Sequence, residues 1–165
     1  MGKTGIPCII DVEASGFGSR SYPIEVGFIT PEGERYCSLI QPQPDWTHWD
    51  PRAEAIHNIS RETLLATGRP AHEVANELNE QLQNTTAYSD GWVVDSPWLN
   101  ALFAAAGLEM QFTLSPIEAI LKEQDLARWD DTKARITLEQ TIDRHRASHD
   151  AFLIQKTYCA VSQLR

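Results

Sequence analysis

The sequence lacks the cysteine patterns typical of zinc-binding and disulfide-bonded proteins. It contains three cysteines, Cys8, Cys37 and Cys159, an odd number spread widely along the chain, and no Cys-x-x-Cys pair. A structural zinc site would therefore lack its usual ligands. Because each cysteine has apolar neighbours, we expect reduced thiols in the core, as in proteins of a reducing compartment.

Long hydrophobic runs are also absent. The first apolar stretch begins after Pro7 and is interrupted at Asp11, whereas a membrane helix needs about 20 apolar residues. We therefore expect a cytoplasmic protein with no membrane partner.

Positive charge is scarce, with 14 lysines and arginines against 23 aspartates and glutamates and a formal net charge of −9. This balance argues against the broad basic surface that wraps duplex DNA through many phosphate contacts. Any nucleic-acid footprint must be small. Acidic side chains that bind divalent cations would, however, invert the local field that a phosphate meets.

What is present predicts one α/β domain over residues 1–165, since 42% of the residues are hydrophobic and the sequence has no repeat, low-complexity tract or linker. Apolar, β-branched runs and helical periodicity place the elements. Strands are predicted at 7–12, 23–30, 35–41, 85–89 and 109–114, and helices at 51–65, 71–82, from Ser96 to Gly107, from Ser115, at 126–142 and at 148–164. This order indicates a mixed five-stranded sheet, with three antiparallel strands first, flanked by helices.

Two carboxylates lie at the end of the first predicted strand. Asp11 and Glu13 are two residues apart, so a strand sends both side chains to the same face. Their repulsion costs stability unless a cation or a proton neutralises it. A metal site is one interpretation, and a solvated start of a loop is the other.

Further acids stand near the start of two predicted helices. Asp95 precedes the helix that begins at Ser96, where it binds metal or is simply the N-cap, and Asp90 competes with it because it directly follows a strand. Near the carboxyl end, His145 and Asp150 precede an apolar helix. Asp150 alone could be a favourable acid in a first helical turn, and His145 a loop residue.

Together these spacings resemble the DEDDh subgroup of the DnaQ-like 3′-to-5′ exonucleases, whose three motifs occur in this order. The stretch Ile9-Ile10-Asp11-Val12-Glu13-Ala14-Ser15-Gly16-Phe17 is similar to the first motif of that family, especially as it appears in ribonuclease T. The stretches 23–28 and 55–60 are similar to its second strand and to its His-Gly-Ile-Thr segment. The chain departs from the pattern at Val94, where Phe is usual, and at His149, where an acid is common.

The resemblance implies a ribonuclease H-like fold and two Mg²⁺ or Mn²⁺ ions held by oxygen ligands. It implies that Asp11 bridges both ions, that Glu13 and Asp150 complete one site, and that Asp95 supports the other. It assigns His145 as the general base. The residues expected to contact the terminal nucleotide are Ser15, Gly16, Phe17, Ile56 and His57. Core packing is the alternative for Phe17 and Ile56, and a surface polar contact is the alternative for His57.

The predicted function is removal of nucleoside monophosphates from the 3′ ends of single-stranded or short DNA or RNA. An oligoribonuclease or RNA 3′-end-trimming enzyme is an alternative within enzymes, and a non-catalytic binding module is an alternative outside them. Because the chain ends directly after its last predicted helix, a free-standing enzyme or homodimer is expected rather than a stable polymerase partner.

Overall fold

A five-stranded mixed sheet organises the chain in the computed structural model, which describes residues 5–140 and 146–163. The strands are β1 (Cys8–Ala14), β2 (Pro23–Ile29), β3 (Arg35–Leu39), β4 (Thr86–Ser89) and β5 (Thr113–Pro116). Their order across the sheet is β3-β2-β1-β4-β5. The first three strands form an antiparallel meander, while β4 and β5 run parallel to β1. The predicted mixed sheet is confirmed.

Helices cover both faces of this sheet. They are α1 (Pro51–His57), α2 (Arg61–Thr67), α3 (Ala71–Leu82), α4 (Trp92–Ala106), α5 (Glu123–Leu126), α6 (Trp129–Glu139) and α7 (Ala147–Val161), with a short 3₁₀ helix at Ile117–Ile120. Helices α3 and α4 pack together on one face, and α7, backed by α6, packs on β1 and β2 from the other. The burial of apolar side chains in these two layers drives the assembly.

The alternation of β1 divides its side chains between the two layers. Cys8, Ile10 and Val12 belong to the core shared with α3 and α4. Ile9 belongs to the core shared with α7. Because the period of a strand is two residues, Asp11 and Glu13 share the face of Ile9 and point toward the α7 side.

The fifth strand differs from its prediction, since it spans Thr113–Pro116 rather than 109–114. The side chain of Asn79 in α3 explains the shift: its Nδ2 donates to Glu109 O at 2.8 Å, and its Oδ1 accepts from Gln111 N at 2.8 Å. The backbone of this segment is thus satisfied by an amide side chain instead of a neighbouring strand. Ser115 and Pro116 consequently end a strand and do not begin the predicted helix.

Two helix boundaries also differ. Helix α4 begins at Trp92, not at Ser96, because Gly91 is its N-cap and the backbone N–H groups of Val94 and Asp95 donate to Gly91 O. The predicted helix at 126–142 is divided into α5 and α6 on either side of Arg128, whose guanidinium donates to Asp125 Oδ1 and Val161 O. Residues 141–145 and 164–165 lie outside the described part of the chain.

The cysteines are unpaired, as predicted, but only Cys8 is a buried core residue. Cys37 is exposed on β3, because β3 is an edge strand, and Cys159 is half-buried. Within residues 5–140 and 146–163, every helix is too short or too polar to cross a membrane.

Candidate metal centre and nucleotide cavity

Three carboxylates from the two ends of the sequence meet beside the sheet. Asp11 and Glu13 of β1 and Asp150 of α7 place one oxygen each so that all three lie within 4.8 Å of one another. Each of these side chains is half-buried. Asp11 and Glu13 converge because of the strand period, and Asp150 joins them because the first turn of α7 lies on the same face.

Gly27 allows this close approach of α7 to the sheet. It pairs with Asp11 across β1 and β2. A Cβ atom at Gly27 would lie 2.2 Å from the backbone nitrogen of Ser148, so any larger residue would push away the helix turn that carries Asp150. A glycine inside a strand is a known signal of close backbone approach.

Asp95 lies in the first turn of α4, close enough for its charge to raise the pKa of Asp11. It is buried, and Ser89 Oγ donates to its Oδ2 at 2.5 Å. Asp90, which competed with it in the sequence, forms an ion pair with Lys133 of α6. The alternative that Asp95 is merely an N-cap is wrong, since Gly91 occupies that position.

Three of these carboxyl groups, Asp11, Glu13 and Asp95, have raised pKa values. Burial, followed by the charges of Asp95, Glu13 and Asp150, raises the pKa of Asp11 well above its usual range. Burial and the nearby Asp150 raise the pKa of Glu13 to about 8. Burial raises the pKa of Asp95 to about 7, although its hydrogen bond from Ser89 acts in the opposite direction.

Such a cluster fits divalent cations. Carboxylate oxygens are the ligands that Mg²⁺ and Mn²⁺ prefer. The same proximity that makes the ionised carboxylates unfavourable alone becomes favourable when positive charge lies between them.

A cavity of about 500 Å³ opens above the acids. Asp11, Glu13 and Asp95 form its polar floor, and Phe17, Ile56 and Trp98 contribute apolar walls. Phe17 is 72% exposed and Ile56 is 50% exposed, so the alternative that they are core residues is wrong. The ring centroids of Phe17 and Trp98 are 6.1 Å apart, which gives Phe17 an aromatic support.

The remaining residues predicted to contact nucleotide differ in their surroundings. Gly16 and His57 line the cavity. Ser15 is fully buried, and its hydroxyl is hydrogen-bonded to His48 Nδ1 at 3.0 Å and to the backbone N–H of Tyr22 at 3.2 Å. Its side chain therefore supports the loop and does not face the cavity.

The loop before α1 is fastened to the first motif. Asp50 N donates to Ser15 O at 2.9 Å, and a Cβ at Gly16 would lie 2.8 Å from both Asp50 and His48. Gly16 also has a φ of +153°, in the range that favours glycine. Both features explain why this position has no side chain.

His57 is the last residue of α1, and contacts with Ile59 and Trp49 fix its ring. Its buried Nδ1 accepts from Ile59 N at 3.1 Å, and its ring lies edge-on to Trp49 with centroids 6.0 Å apart. Asn58, which stands where the similar family segment has glycine, adopts a left-handed φ of 55° as the C-cap. Asparagine tolerates this conformation better than most residues, so the turn that places His57 is retained.

Of the two histidines near α7, the structure describes only His149. His145, the predicted general base, lies outside the described residues. His149 is buried in the first turn of α7, with its ring centroid 6.0 Å from that of Phe152.

Several residues at the site were missed from sequence. Arg52 and Asp50 line the cavity, and Arg52 is the only lysine or arginine among its described lining residues. Ser89 donates a hydrogen bond to Asp95, and Gly27 leaves room for the first turn of α7. Of these, Gly27 carried a usable sequence signal, because glycine within an apolar strand run suggests close backbone approach.

The sequence matches no protein-family model and no curated protein. Solved structures of exonuclease I are similar in fold. E. coli exonuclease I in complex with a dT13 oligonucleotide shares 15% identity over 95% of this chain and 41% of that one, with a TM-score of 0.73. The complex with dA16 gives 14% identity, 96% and 41% coverage and a TM-score of 0.72.

A moderately thermophilic exonuclease I from Methylocaldum szegediense gives 18% identity, 95% and 39% coverage and a TM-score of 0.65. The chain thus spans about two fifths of the length of these proteins. At these identities the likeness concerns the fold, and it confirms the mixed five-stranded α/β architecture predicted from the order of strands and helices.

Proposed function

We propose that this chain is a divalent-metal-dependent nuclease that removes nucleoside monophosphates from the 3′ ends of single-stranded or short DNA or RNA. One observation carries the proposal: the carboxylates of Asp11, Glu13 and Asp150 converge within 4.8 Å, and the first two line a cavity that also has aromatic and apolar walls. A fold of this kind has no structural need for such a cluster, because its mutual repulsion opposes folding.

The proposed roles of the acids follow the family resemblance. Asp11 would help to hold both ions, Glu13 and Asp150, which converge with it, would complete one site, and Asp95 would support the other. Divalent cations held there would activate the attacking water and neutralise charge on the attacking and leaving oxygens. Ser89 would keep the Asp95 carboxylate oriented through its hydrogen bond.

The apolar residues would hold the end of the strand. The exposed ring of Phe17, supported by Trp98, offers a stacking surface for a base, and such stacking tolerates any base sequence. Ile56 and His57 face the same cavity and would flank the terminal nucleotide. His145 is proposed, from the family resemblance alone, to take a proton from the attacking water.

Single-stranded DNA is the first substrate to test, since the exonuclease I structures of similar fold include complexes with dA16 and dT13 oligonucleotides. An oligonucleotide labelled at its 5′ end should give a ladder of shortening products in Mg²⁺, and the same strand labelled at its 3′ end should release labelled mononucleotide at once. EDTA and Asp11→Asn should abolish both. Internal cuts would contradict the exonuclease, and metal-independent binding without cleavage would indicate a non-catalytic module.

Parallel reactions on DNA, RNA and dinucleotides of the two sugars would separate a general 3′ exonuclease from an oligoribonuclease or an RNA-end-trimming enzyme. A single catalytic domain over residues 1–165 and a free-standing or homodimeric state remain parts of the proposal. Light scattering of the purified chain measures the second.

A further inference from the structure

A buried glutamate on β2 contacts the start of α7, next to the proposed metal ligands. Glu25 lies on β2 and is fully buried. Its Oε1 accepts the backbone N–H of Ala147, the first residue of α7, at 2.7 Å. Its Oε2 accepts Arg146 Nε at 2.8 Å and lies 2.7 Å from Arg146 Nη2. A carboxylate at this point also interacts favourably with the positive end of the helix dipole.

The register between β1 and β2 places these contacts directly beside the acids of β1. Glu13 pairs with Glu25, and Asp11 pairs with Gly27. Glu25 therefore ties down the first residue of α7 in one row. Gly27 admits the backbone of Ser148 in the next row. The start of α7 is fixed at two points, and Asp150 follows one helical turn from Ala147.

We infer that Glu25 is a positioning residue that holds α7 so that the Asp150 carboxylate meets those of Asp11 and Glu13. The inference rests on the proposed metal-dependent function. A buried carboxylate this close to other acids costs stability, and Arg146 and the helix N–H group offset that cost. Without these contacts to Glu25, the first turn of α7 would have one fixed point instead of two, and Asp150 would sample positions away from the other acids.

The test is binding of Mn²⁺ to the whole purified chain, measured from the electron paramagnetic resonance signal of free Mn²⁺. Glu25→Gln keeps an oxygen for Ala147 N–H but loses the ionic partner of Arg146, whose half-exposed side chain can turn to solvent. We expect the Kd for Mn²⁺ to rise about tenfold or more, as for other groups that orient metal ligands.

Glu77→Gln is the matched control. Glu77 lies on α3, on the opposite face of the sheet from α7, and accepts two hydrogen bonds from Arg69 and one from Tyr36, each at 2.7 Å. Its loss removes a comparable ion pair and should leave the Kd for Mn²⁺ unchanged. Urea denaturation reports any loss of stability in both variants, so a purely structural role for Glu25 would lower the urea midpoint without moving the Kd and would overturn the inference.

Failure of the proposed function and failure of the inference alone give different results. If the wild-type chain binds no Mn²⁺, the proposed function falls and the inference falls with it. If the wild type binds Mn²⁺ and cleaves DNA while Glu25→Gln binds equally well, only the inference falls. Should Glu25→Gln fail to fold by circular dichroism, Arg146→Gln serves instead, because it removes the same ion pair from its half-exposed partner. Loss of Mn²⁺ affinity in Arg146→Gln supports the inference, and wild-type affinity overturns it.

Discussion

At the scale of single residues, the ionised acids of the site oppose folding when no cation lies between them. Each pKa unit corresponds to about 1.4 kcal/mol of differential interaction. The rise in the pKa of Glu13 to about 8 therefore represents a few kcal/mol at most of unfavourable interaction when the group is ionised. In a site of this kind, replacing an acid by a neutral residue should lower activity and raise the free energy of unfolding.

Asp11→Asn should separate these two effects. We expect nuclease activity to fall about 10³-fold, because loss of a shared ligand removes several kcal/mol of electrostatic stabilisation. In EDTA at pH 8 the same variant should unfold at a higher urea concentration than the wild type, since one repelling charge is gone. Asp45→Asn, an exposed loop variant with the same change in charge, should alter neither. A variant that is both inactive and less stable would contradict the argument.

Arg52 is the residue best placed to meet a backbone phosphate. It lines the cavity, its side chain is 91% exposed, and Asp50 lies 3.4 Å from its Nε. Arg52→Ala should weaken binding of single-stranded DNA several-fold at low salt and reduce the slope of log K against log salt by about one.

The control for this measurement is Arg135→Ala, which removes an exposed ion pair with Glu139 on α6. It should leave the salt slope unchanged. Equal slopes for wild type and Arg52→Ala would show that this guanidinium makes no phosphate contact.

At the scale of elements, local pattern predicted the sheet better than the ends of its helices. The apolar residues of β1 and β2 are grouped in short runs, and turn residues separate the first three strands, so their order followed from the sequence. The start of α4 did not, because Gly91 as N-cap gave no sequence signal to distinguish it from the Ser96-Pro97 start. The shift of β5 depended on the side chain of Asn79, thirty residues away from its partner Glu109, which a local pattern cannot register.

Some residues of the candidate site could likewise be predicted from local pattern, and others could not. Asp11 and Glu13 could be placed on one face from strand geometry, whereas the meeting of Asp95 and Asp150 with them needed the family resemblance. Arg52 and Ser89 escaped notice because an arginine in a helix and a serine at a strand end have no distinguishing pattern. Their roles arise from long-range packing alone.

The junction between β4 and α4 offers a test at this scale. Ser89 is fully buried, donates to Asp95 and accepts from Gly91 N at 3.0 Å. Its hydrogen bond lowers the pKa of Asp95, so Ser89→Ala should raise that pKa above about 7. Protons then compete better with metal, and half-saturating Mg²⁺ should rise about tenfold at pH 6.5 but much less at pH 8.5.

Ser38→Ala removes another buried serine, on β3, whose hydroxyl donates to Leu39 O. It should leave the metal requirement unchanged at both pH values. A pH-independent shift in Ser89→Ala would mean that Ser89 acts on Asp95 through packing and not through its protonation.

At the scale of the whole molecule, a net charge of −9 coexists with a cavity that is proposed to receive a polyanion. The charge alone disfavours an approaching phosphate. Cations held by the acids would reverse the field locally, while the rest of the surface still repels long nucleic acid. The protein should therefore favour strand ends that enter one small cavity, and its affinity for duplex DNA should stay low in Mg²⁺, as a filter-binding comparison can measure.

The same acids predict how folding stability depends on pH. The folded-state pKa values of Glu13 and Asp95 are raised to about 8 and about 7, from 4.5 and 3.8. A raised carboxyl pKa contributes stability that is present below the unfolded value and is lost as pH rises through the folded value. Glu77, with its pKa lowered to about 2 by Arg69, acts oppositely and only at acidic pH. Stability in EDTA should thus peak near pH 4.

From this peak the free energy of unfolding in EDTA should fall by a few kcal/mol up to pH 8. Urea denaturation at half-unit steps of pH measures the decline. Saturating Mg²⁺ should remove most of it, because a ligand that binds the folded state alone adds stability by mass action, and the acids bind it best when ionised. Glu13→Gln should flatten the EDTA profile between pH 6 and 8. A wild-type profile that is flat over this range in EDTA would mean that these carboxyl groups do not repel one another in the folded protein, and the physical reason for a metal site would be gone.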